Sequence, residues 1–324
     1  MQSASLVHSN ILERFRVLVK NERLAHAYLF TGPSGVGKVE TALAVARLVN
    51  CLDKGTDDCT CASCTKITNG NHPDIFLLEK PEDKTEIVIG QITERPSESY
   101  RPLRPWLSVR SLEARVRVVI VRDADLMSAG AANAFLKTLE EPTRHTLIIL
   151  TTAVPAKLFR TITSRCHEVR FFPTGYSALA THLKNEYDVA SVEAMIMAKF
   201  SGGSPGRAIQ LGKDFIGRKN ALLEEFVFRS ASEAVLKKFS AEKALARELC
   251  EVLLTFYHDI LLAQSGAGDE SFFHRDRPED IRRFAARYSV EEVERILAQV
   301  VKTMEALKES FNVKIALTLL KEMI

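Results

Sequence analysis

The chain has 324 residues, 46% hydrophobic and 26% charged, with a formal net charge of +3, a length that implies two or three domains. It contains no apolar run near the roughly 18–20 residues a membrane span needs, and Met1-Gln2-Ser3-Ala4-Ser5 lacks the basic lead of a secretory signal, so it reads as cytoplasmic. So weak a net charge does not by itself announce a nucleic-acid partner. Residues 6–24 place Leu6, Ile11, Leu12, Phe15, Leu18 and Val19 at helical spacing. His26-Ala27-Tyr28-Leu29-Phe30 then reads as a short strand running into Gly32-Pro33-Ser34-Gly35-Val36-Gly37-Lys38-Val39. That octapeptide is a phosphate-binding loop in all but its last position. Glycines let backbone N–H groups cradle phosphate, Lys38 would reach the β/γ oxygens, and Val39 has no hydroxyl for Mg²⁺. Glu40 to Leu52, rich in Ala, Leu and Val, is predicted helical and completes the strand–loop–helix context.

Four of six cysteines, Cys51, Cys59, Cys61 and Cys64, fall within fourteen residues, a density that in a reducing compartment argues for metal rather than disulfides. Asp74 to Leu78 is a second strand. Residues 95–110 combine Pro96, Pro102 and Pro105 with Arg95, Arg101, Arg104, Arg110 and the only tryptophan, Trp106, and the prolines exclude a regular helix through the stretch. Val116 to Val121 is nearly unbroken β-branched sequence, the mark of a buried parallel strand. A helix over Ala129–Glu141 stops at Pro142, and Leu147 to Leu150 is another buried strand. Such alternation predicts a doubly wound α/β domain with ligand at the strand C-termini. Beyond Phe171-Phe172-Pro173-Thr174-Gly175 only helices are predicted: about 176–187, 190–201 (closed by Gly202-Gly203), one restarting at Ser204-Pro205, and long amphipathic helices after about 215. Near the end Ser289 and Glu292 form a capping box ahead of an apolar stripe of Val293, Ile296, Leu297, Val300, Met304 and Leu307.

Several stretches, taken together, resemble the clamp-loader branch of the AAA+ ATPases. Ala132-Asn133-Ala134-Phe135-Leu136-Lys137-Thr138-Leu139-Glu140-Glu141-Pro142 matches the family helix A-N-A-L-L-K-T-L-E-E-P, Ser164-Arg165-Cys166 its S-R-C motif, and residues 26–30 its H-A-Y-L-F strand. His72-Pro73-Asp74, Gly203-Ser204-Pro205-Gly206-Arg207-Ala208 and Asn312-Val313-Lys314-Ile315-Ala316-Leu317 resemble the delta-prime branch of bacterial DNA polymerase III loaders rather than the tau/gamma motor subunits. The resemblance implies an α/β P-loop domain over 1–173 carrying the cysteine insertion 51–64, a helical lid over 174–214 and an all-helical collar over 215–324. It also implies a hetero-pentamer with tau/gamma and delta subunits that places a sliding clamp on primer–template DNA, in which this subunit is a non-catalytic member of a DNA-directed DNA polymerase holoenzyme.

On that resemblance each motif acquires a chemical expectation. In the family's Asp-Glu register Arg122 stands where the metal-binding aspartate would be and Asp123 where the catalytic glutamate would be; a slip of one residue makes Asp123 the metal ligand but leaves Val39. Two missing ligands argue against Mg²⁺ and against turnover, while ATP or ADP could still bind through the glycines and Lys38; a vestigial loop that only packs is the alternative. The cysteines resemble the family's C-x₈-C-x₂-C-x₂-C with the knuckle one residue shorter, and four thiolates suit a structural Zn²⁺. Arg165 occupies the place from which loader subunits present an arginine finger to a neighbour's γ-phosphate; an ordinary surface arginine paired with a carboxylate is the alternative. Arg207 lies near a lid arginine that senses phosphate, shifted by one residue, so a structural role competes with a sensing one. Asn133 and Lys137 share a helix face; the resemblance suggests that this helix serves a subunit interface, whereas core packing by Ala132, Leu136 and Leu139 accounts for most of its residues. Segment 95–110 either contacts DNA or a partner with Trp106 as anchor, or tucks Trp106 onto the sheet edge. Two rival functions remain: a self-sufficient motor ATPase, which Val39 and Arg122 oppose, and a zinc-dependent nucleic-acid-binding module, which the near-neutral charge opposes.

Overall fold

The structure is a computed structural model that describes all residues except 1–7, 54–55, 57–58, 94–99, 230–231 and 309–312. Leu6, Arg95, Pro96 and Asn312, invoked above, lie outside the described residues. The chain divides into two compact units, Met1–Thr174 with Ser204–Arg207, and Gly175–Gly203 with Ala208–Ile324.

The first unit runs α1 (Ser9–Lys20), β1 (Ala27–Thr31), α2 (Lys38–Asn50), α3 (Ala62–Thr68), β2 (Ile75–Leu78), α4 (Leu103–Ser108), β3 (Arg117–Val121), α5 (Ala129–Glu140), β4 (Thr146–Thr152), α6 (Arg160–Thr163) and β5 (His167–Arg170). The strands form one parallel sheet in the order β2-β3-β4-β1-β5, with Leu29 opposite Leu150 on one side and Glu168 on the other. Successive side chains on a strand point to opposite faces. Leu29, Val119, Val121, Ile148 and Leu150 accordingly join Phe135, Leu139 and Trp106 in one core. Tyr28, Phe30, Val118, Ile120, Leu147 and Ile149 join Phe15, Ala42 and Val45 in the other. Burial on both faces is why β3 is apolar from Val118 to Val121 and β4 from Leu147 to Leu150.

Four elements depart from the sequence expectation, two of them the helices α3 and α6, which at seven and four residues are too short to show a periodic pattern. Strand β5 was not predicted: His167, Glu168 and Arg170 are exposed, so this edge strand carries no apolar run for a pattern to find. A short helix, α4, forms inside the proline-rich segment. Pro102 is its N-cap and Pro105 sits in its first turn, where a backbone N–H has no intrahelical acceptor to lose.

The second unit is built from α7 (Tyr176–Tyr187), α8 (Ser191–Phe200), the later part of α9 (Pro205–Leu211), α10 (Phe215–Leu223), α11 (Glu233–Ala241), α12 (Lys243–Gln264), α13 (Pro278–Arg287), α14 (Val290–Lys308) and α15 (Val313–Met323). It has two hydrophobic clusters. Leu179, Leu183, Ile196, Met197 and Phe215 form the smaller; α12 supplies Leu249, Leu253, Phe256 and Ile260 to the larger, against Ile281, Val293, Ile296, Val300 and Leu317. The capping box of α14 is present, with Ser289 N donating to Glu292 Oε2 at 2.8 Å and Glu292 N to Ser289 Oγ at 3.2 Å. No helix among the described residues is long and apolar enough to cross a membrane.

Candidate functional site

The loop between β1 and α2 is shaped by three glycines at positive φ: Gly32 at 144°, Gly35 at 74° and Gly37 at 92°. At Gly32 an added Cβ would fall 2.4 Å from Phe171 O, so that position admits no side chain. Every loop carbonyl has a donor. Lys38 Nζ donates to Gly32 O and Pro33 O, both at 2.7 Å. The Ser204 hydroxyl donates to Ser34 O at 2.9 Å, and Gly206 N to Gly35 O at 2.8 Å. His8 Nε2 donates to Val36 O, and Thr41 donates through N and Oγ1 to Gly37 O. Among the described residues the N–H groups of Ser34, Gly35, Val36 and Gly37 have no such partner, so carbonyls are turned into the protein and donors are left together. Donors so arranged at a helix N-terminus suit an anion.

Lys38 is buried. Burial lowers its pKa, opposed by the negative charges of Asp123, Asp125 and Glu40. The structure separates the two residues after β3. Arg122 turns toward β2, its N donating to Leu78 O at 2.8 Å and its Nη1 pairing with Glu79 at 2.8 Å. Asp123, at φ 49°, has its N–H on Thr151 Oγ1 at 3.1 Å. Of the two, Asp123 is the one whose charge acts on Lys38. Asp125, which accepts from Thr152 Oγ1 at 2.6 Å, joins it and was missed. The spacing Asp123-Ala124-Asp125 was the available signal. Two carboxylates without an oxygen at position 39 do not reproduce the Ser/Thr-plus-aspartate set that holds Mg²⁺ in P-loop enzymes.

Arg165 lies beyond α6, half-exposed, with Nη1 donating to Thr161 O at 2.9 Å and Nη2 2.8 Å from Glu140 Oε1. The neighbouring Cys166 thiol is pushed up to about 11 by burial. On α5, Ala132 and Leu139 are buried while Asn133 and Lys137 are exposed on one face with Glu140. Arg207 is exposed, and its N donates to the Ser204 hydroxyl that caps α9 at 3.3 Å.

The sulfurs of Cys51, Cys59, Cys61 and Cys64 all lie within 4.8 Å of one another, close enough to hold one metal ion. Tetrahedral Zn–S bonds of about 2.3 Å place sulfurs about 3.8 Å apart, inside this limit. Arg47 anchors the insertion by donating to Cys59 O at 3.2 Å. The N–H groups of Cys64 and Leu52 lower the Cys61 thiol to about 6, whereas burial above all pushes Cys64 up to about 12.

Trp106 is tucked against the sheet edge: its ring centroid is 5.2 Å from that of Phe76, its Nε1 donates to Pro73 O at 3.0 Å, and the Arg117 guanidinium lies 5.4 Å from its ring. Arg104 donates to Ala134 O at 2.9 Å. The described part of segment 95–110 is thus tied to its own sheet and to α5.

The sheet order, with a glycine loop between β1 and α2 and a helical unit after it, defines a P-loop protein of the AAA+ class. A family model described as DNA polymerase III, delta subunit, matches residues 7–174, and one described as the C-terminal part of that subunit matches 213–324. The chain is 30% identical to the DNA polymerase III subunit delta' of Bacillus subtilis, over 91% of this chain and 89% of that one. It is 32% identical to the delta' subunit of Pseudomonas aeruginosa, over 72% and 69%. Among solved structures, a DNA polymerase III gamma subunit-related protein from Thermotoga maritima is similar with a TM-score of 0.47 and 19% identity, over 96% of this chain and 97% of that one. The chain belongs to the DNA polymerase III delta-subunit family.

Proposed function

We propose that the chain acts as the delta-prime subunit of a bacterial DNA polymerase III clamp loader, in a cytoplasmic hetero-pentamer with tau/gamma and delta subunits that places a sliding clamp on primer–template DNA. In that complex it lends Arg165 to the ATPase site of a neighbouring motor subunit and hydrolyses no ATP itself. Its proposed organisation is a P-loop domain over 1–173, a lid over 174–214 and a collar over 215–324 that joins the other subunits. The observation that carries the reading is the split character of its own site. The loop keeps its phosphate donors and Lys38, whereas Val39 offers no oxygen and Arg122 is paired with Glu79. Such a site suits ATP or ADP held without turnover.

An arginine delivered from outside spreads the transition-state charge of phosphoryl transfer and is worth about 10³–10⁵ in rate. The isolated chain should therefore show ATPase activity at background, unchanged by Lys38→Ala. A complex carrying Arg165→Ala should assemble, yet lose the clamp- and DNA-stimulated hydrolysis of one site and much of its clamp loading. Normal loading by that complex would reject the arginine role; Mg²⁺-dependent turnover by the lone chain, lost in Lys38→Ala, would reject the non-hydrolysing one.

The four cysteines are proposed to hold a structural Zn²⁺, closed to water because all four positions are thiolates. Metal analysis of chelator-washed, untagged protein should return about one zinc per chain. A metal-free result with the insertion still folded would remove the ion from the description.

A further inference from the structure

The guanidinium offered to a neighbour is engaged within its own chain. Arg165 Nη1 donates to Thr161 O at 2.9 Å, and Nη2 sits 2.8 Å from Glu140 Oε1. These two nitrogens are the fork with which an arginine grips phosphate oxygens. Glu140 is the last residue of α5, at the end where the helix dipole is negative and a carboxylate is disfavoured unless a cation covers it. Arg165 supplies that cation. Both side chains remain accessible, at 37% for Arg165 and 46% for Glu140, so the pair is weak and can be exchanged for a stronger one.

We infer that Glu140 is a positioning residue: a latch that holds Arg165 back on its own subunit until the polyphosphate of a neighbouring subunit takes the guanidinium in exchange. This rests on the reading of Arg165 as a trans-acting group. Exchange is charge for charge, so it favours a site that carries a γ-phosphate over one that has lost it, and the arginine returns to Glu140 once the charge is gone. Lys137, one turn back on the same exposed face of α5, is placed to take up the Glu140 carboxylate when Arg165 leaves. Glu140 thereby tunes when the arginine is available, not what it does once engaged.

The test uses the reconstituted pentamer with wild-type chain, Glu140→Gln, Glu140→Asp, Arg165→Ala and the Glu140→Gln/Arg165→Ala double variant, each first checked for an unchanged unfolding temperature. Glu140→Gln should raise the ATPase rate in the absence of clamp and DNA by about two- to fivefold, the range an exposed ion pair supports. It should lower KM for ATP and leave the fully stimulated kcat unchanged. Glu140→Asp keeps the charge and should behave as wild type. Raising the ionic strength should narrow the difference between wild type and Glu140→Gln, because salt screens the pair that the variant lacks. The double variant should match Arg165→Ala. If Arg165→Ala is defective and Glu140→Gln is unchanged, the latch is wrong and the arginine role stands. If Glu140→Gln lowers the stimulated kcat, the carboxylate supports the engaged arginine and the latch is likewise wrong. If Arg165→Ala has no effect, both fall.

Discussion

Lys38 in the P-loop unit and Lys219 in the helical unit are both buried lysines whose pKa is lowered by burial, and they are held in opposite ways. Lys219 has a fixed acceptor for each of its three protons: the Asp276 carboxylate at 2.9 and 3.0 Å, Asn220 Oδ1 at 2.8 Å and His274 Nδ1 at 3.3 Å. The surroundings are closed as well. His274, fully buried, must accept at Nδ1 and so donates from Nε2 to Thr255 Oγ1 at 2.9 Å; that hydroxyl passes its own proton to the α12 backbone. Asp259 accepts from Phe273 N at 2.9 Å and His274 N at 2.8 Å, while Arg277 bonds Asn220, Glu224 and Asp280. Lys38 instead bonds two neutral carbonyls of its own loop and feels its carboxylates only at a distance. A buried cation with a dedicated anion is a structural part. One resting on neutral carbonyls has no anion bonded to it, which accords with the proposal that Lys38 meets a phosphate from outside.

The contrast is broken most severely at Lys219. Replacing one partner of a buried ion pair strands the other, at a cost of about 3–5 kcal/mol. Lys219→Met should destabilise the chain by that order in denaturant unfolding, with the helical unit losing its cooperative transition. Changing both members, Lys219→Met with Asp276→Leu, should recover a large part of the loss, because no uncompensated charge remains. A loss below about 1 kcal/mol for the single variant would place Lys219 with the exposed ion pairs, whose contribution has that size.

What could be read from the sequence follows the range of the interactions. The glycine loop, the cysteine cluster, the capping box at Ser289 and the buried strands β3 and β4 are encoded by residues a few positions apart, and local spacing is enough to find them. Strand β5 is not encoded this way, because its partner β1 supplies the hydrogen bonds while three of its four side chains face water and only Val169 packs on the core. Asp74 shows the same limit. The sequence offered it as the start of a strand and as part of a His-Pro-Asp match, whereas in the fold it precedes β2, and its carboxylate accepts the N–H groups of Leu112, Glu113 and Ala114 at 2.7–3.0 Å and ties β2 to the turn before β3. Burial would raise its pKa, and those three donors together with His72 outweigh burial and lower it. Asn50 does the equivalent for α2, bridging both backbone groups of Val116 at 2.8 and 3.0 Å. At the candidate site, the register after β3 was left open by the sequence. In the fold Arg122 pairs with Glu79, while Asp123 and Asp125 are carboxylates whose charge acts on Lys38. The Glu140–Arg165 pair joins residues twenty-five positions apart, and no periodicity relates them.

The gentler test is at Lys38, where the comparison predicts a function lost and a fold kept. Gly32 O and Pro33 O, the two carbonyls that Lys38 occupies, belong to half-buried and exposed residues respectively, so water can replace the ammonium. Removing a buried charge also relieves its desolvation. Lys38→Met should therefore change unfolding free energy by less than about 1 kcal/mol, the scale of an ordinary exchanged hydrogen bond. Binding should respond differently, since Lys38 is the one full positive charge among the loop's own residues. Calorimetric titration of the wild-type chain with ATP, or with pyrophosphate as a probe lacking the nucleoside, should show weak binding that does not need Mg²⁺ and disappears in Lys38→Met. A stability loss as large as that of Lys219→Met would make Lys38 a structural residue and erase the distinction. Equal nucleotide affinity in wild type and Lys38→Met, with binding present in both, would assign phosphate recognition to the backbone donors alone, and Lys38 would then be a brace for Gly32 and Pro33.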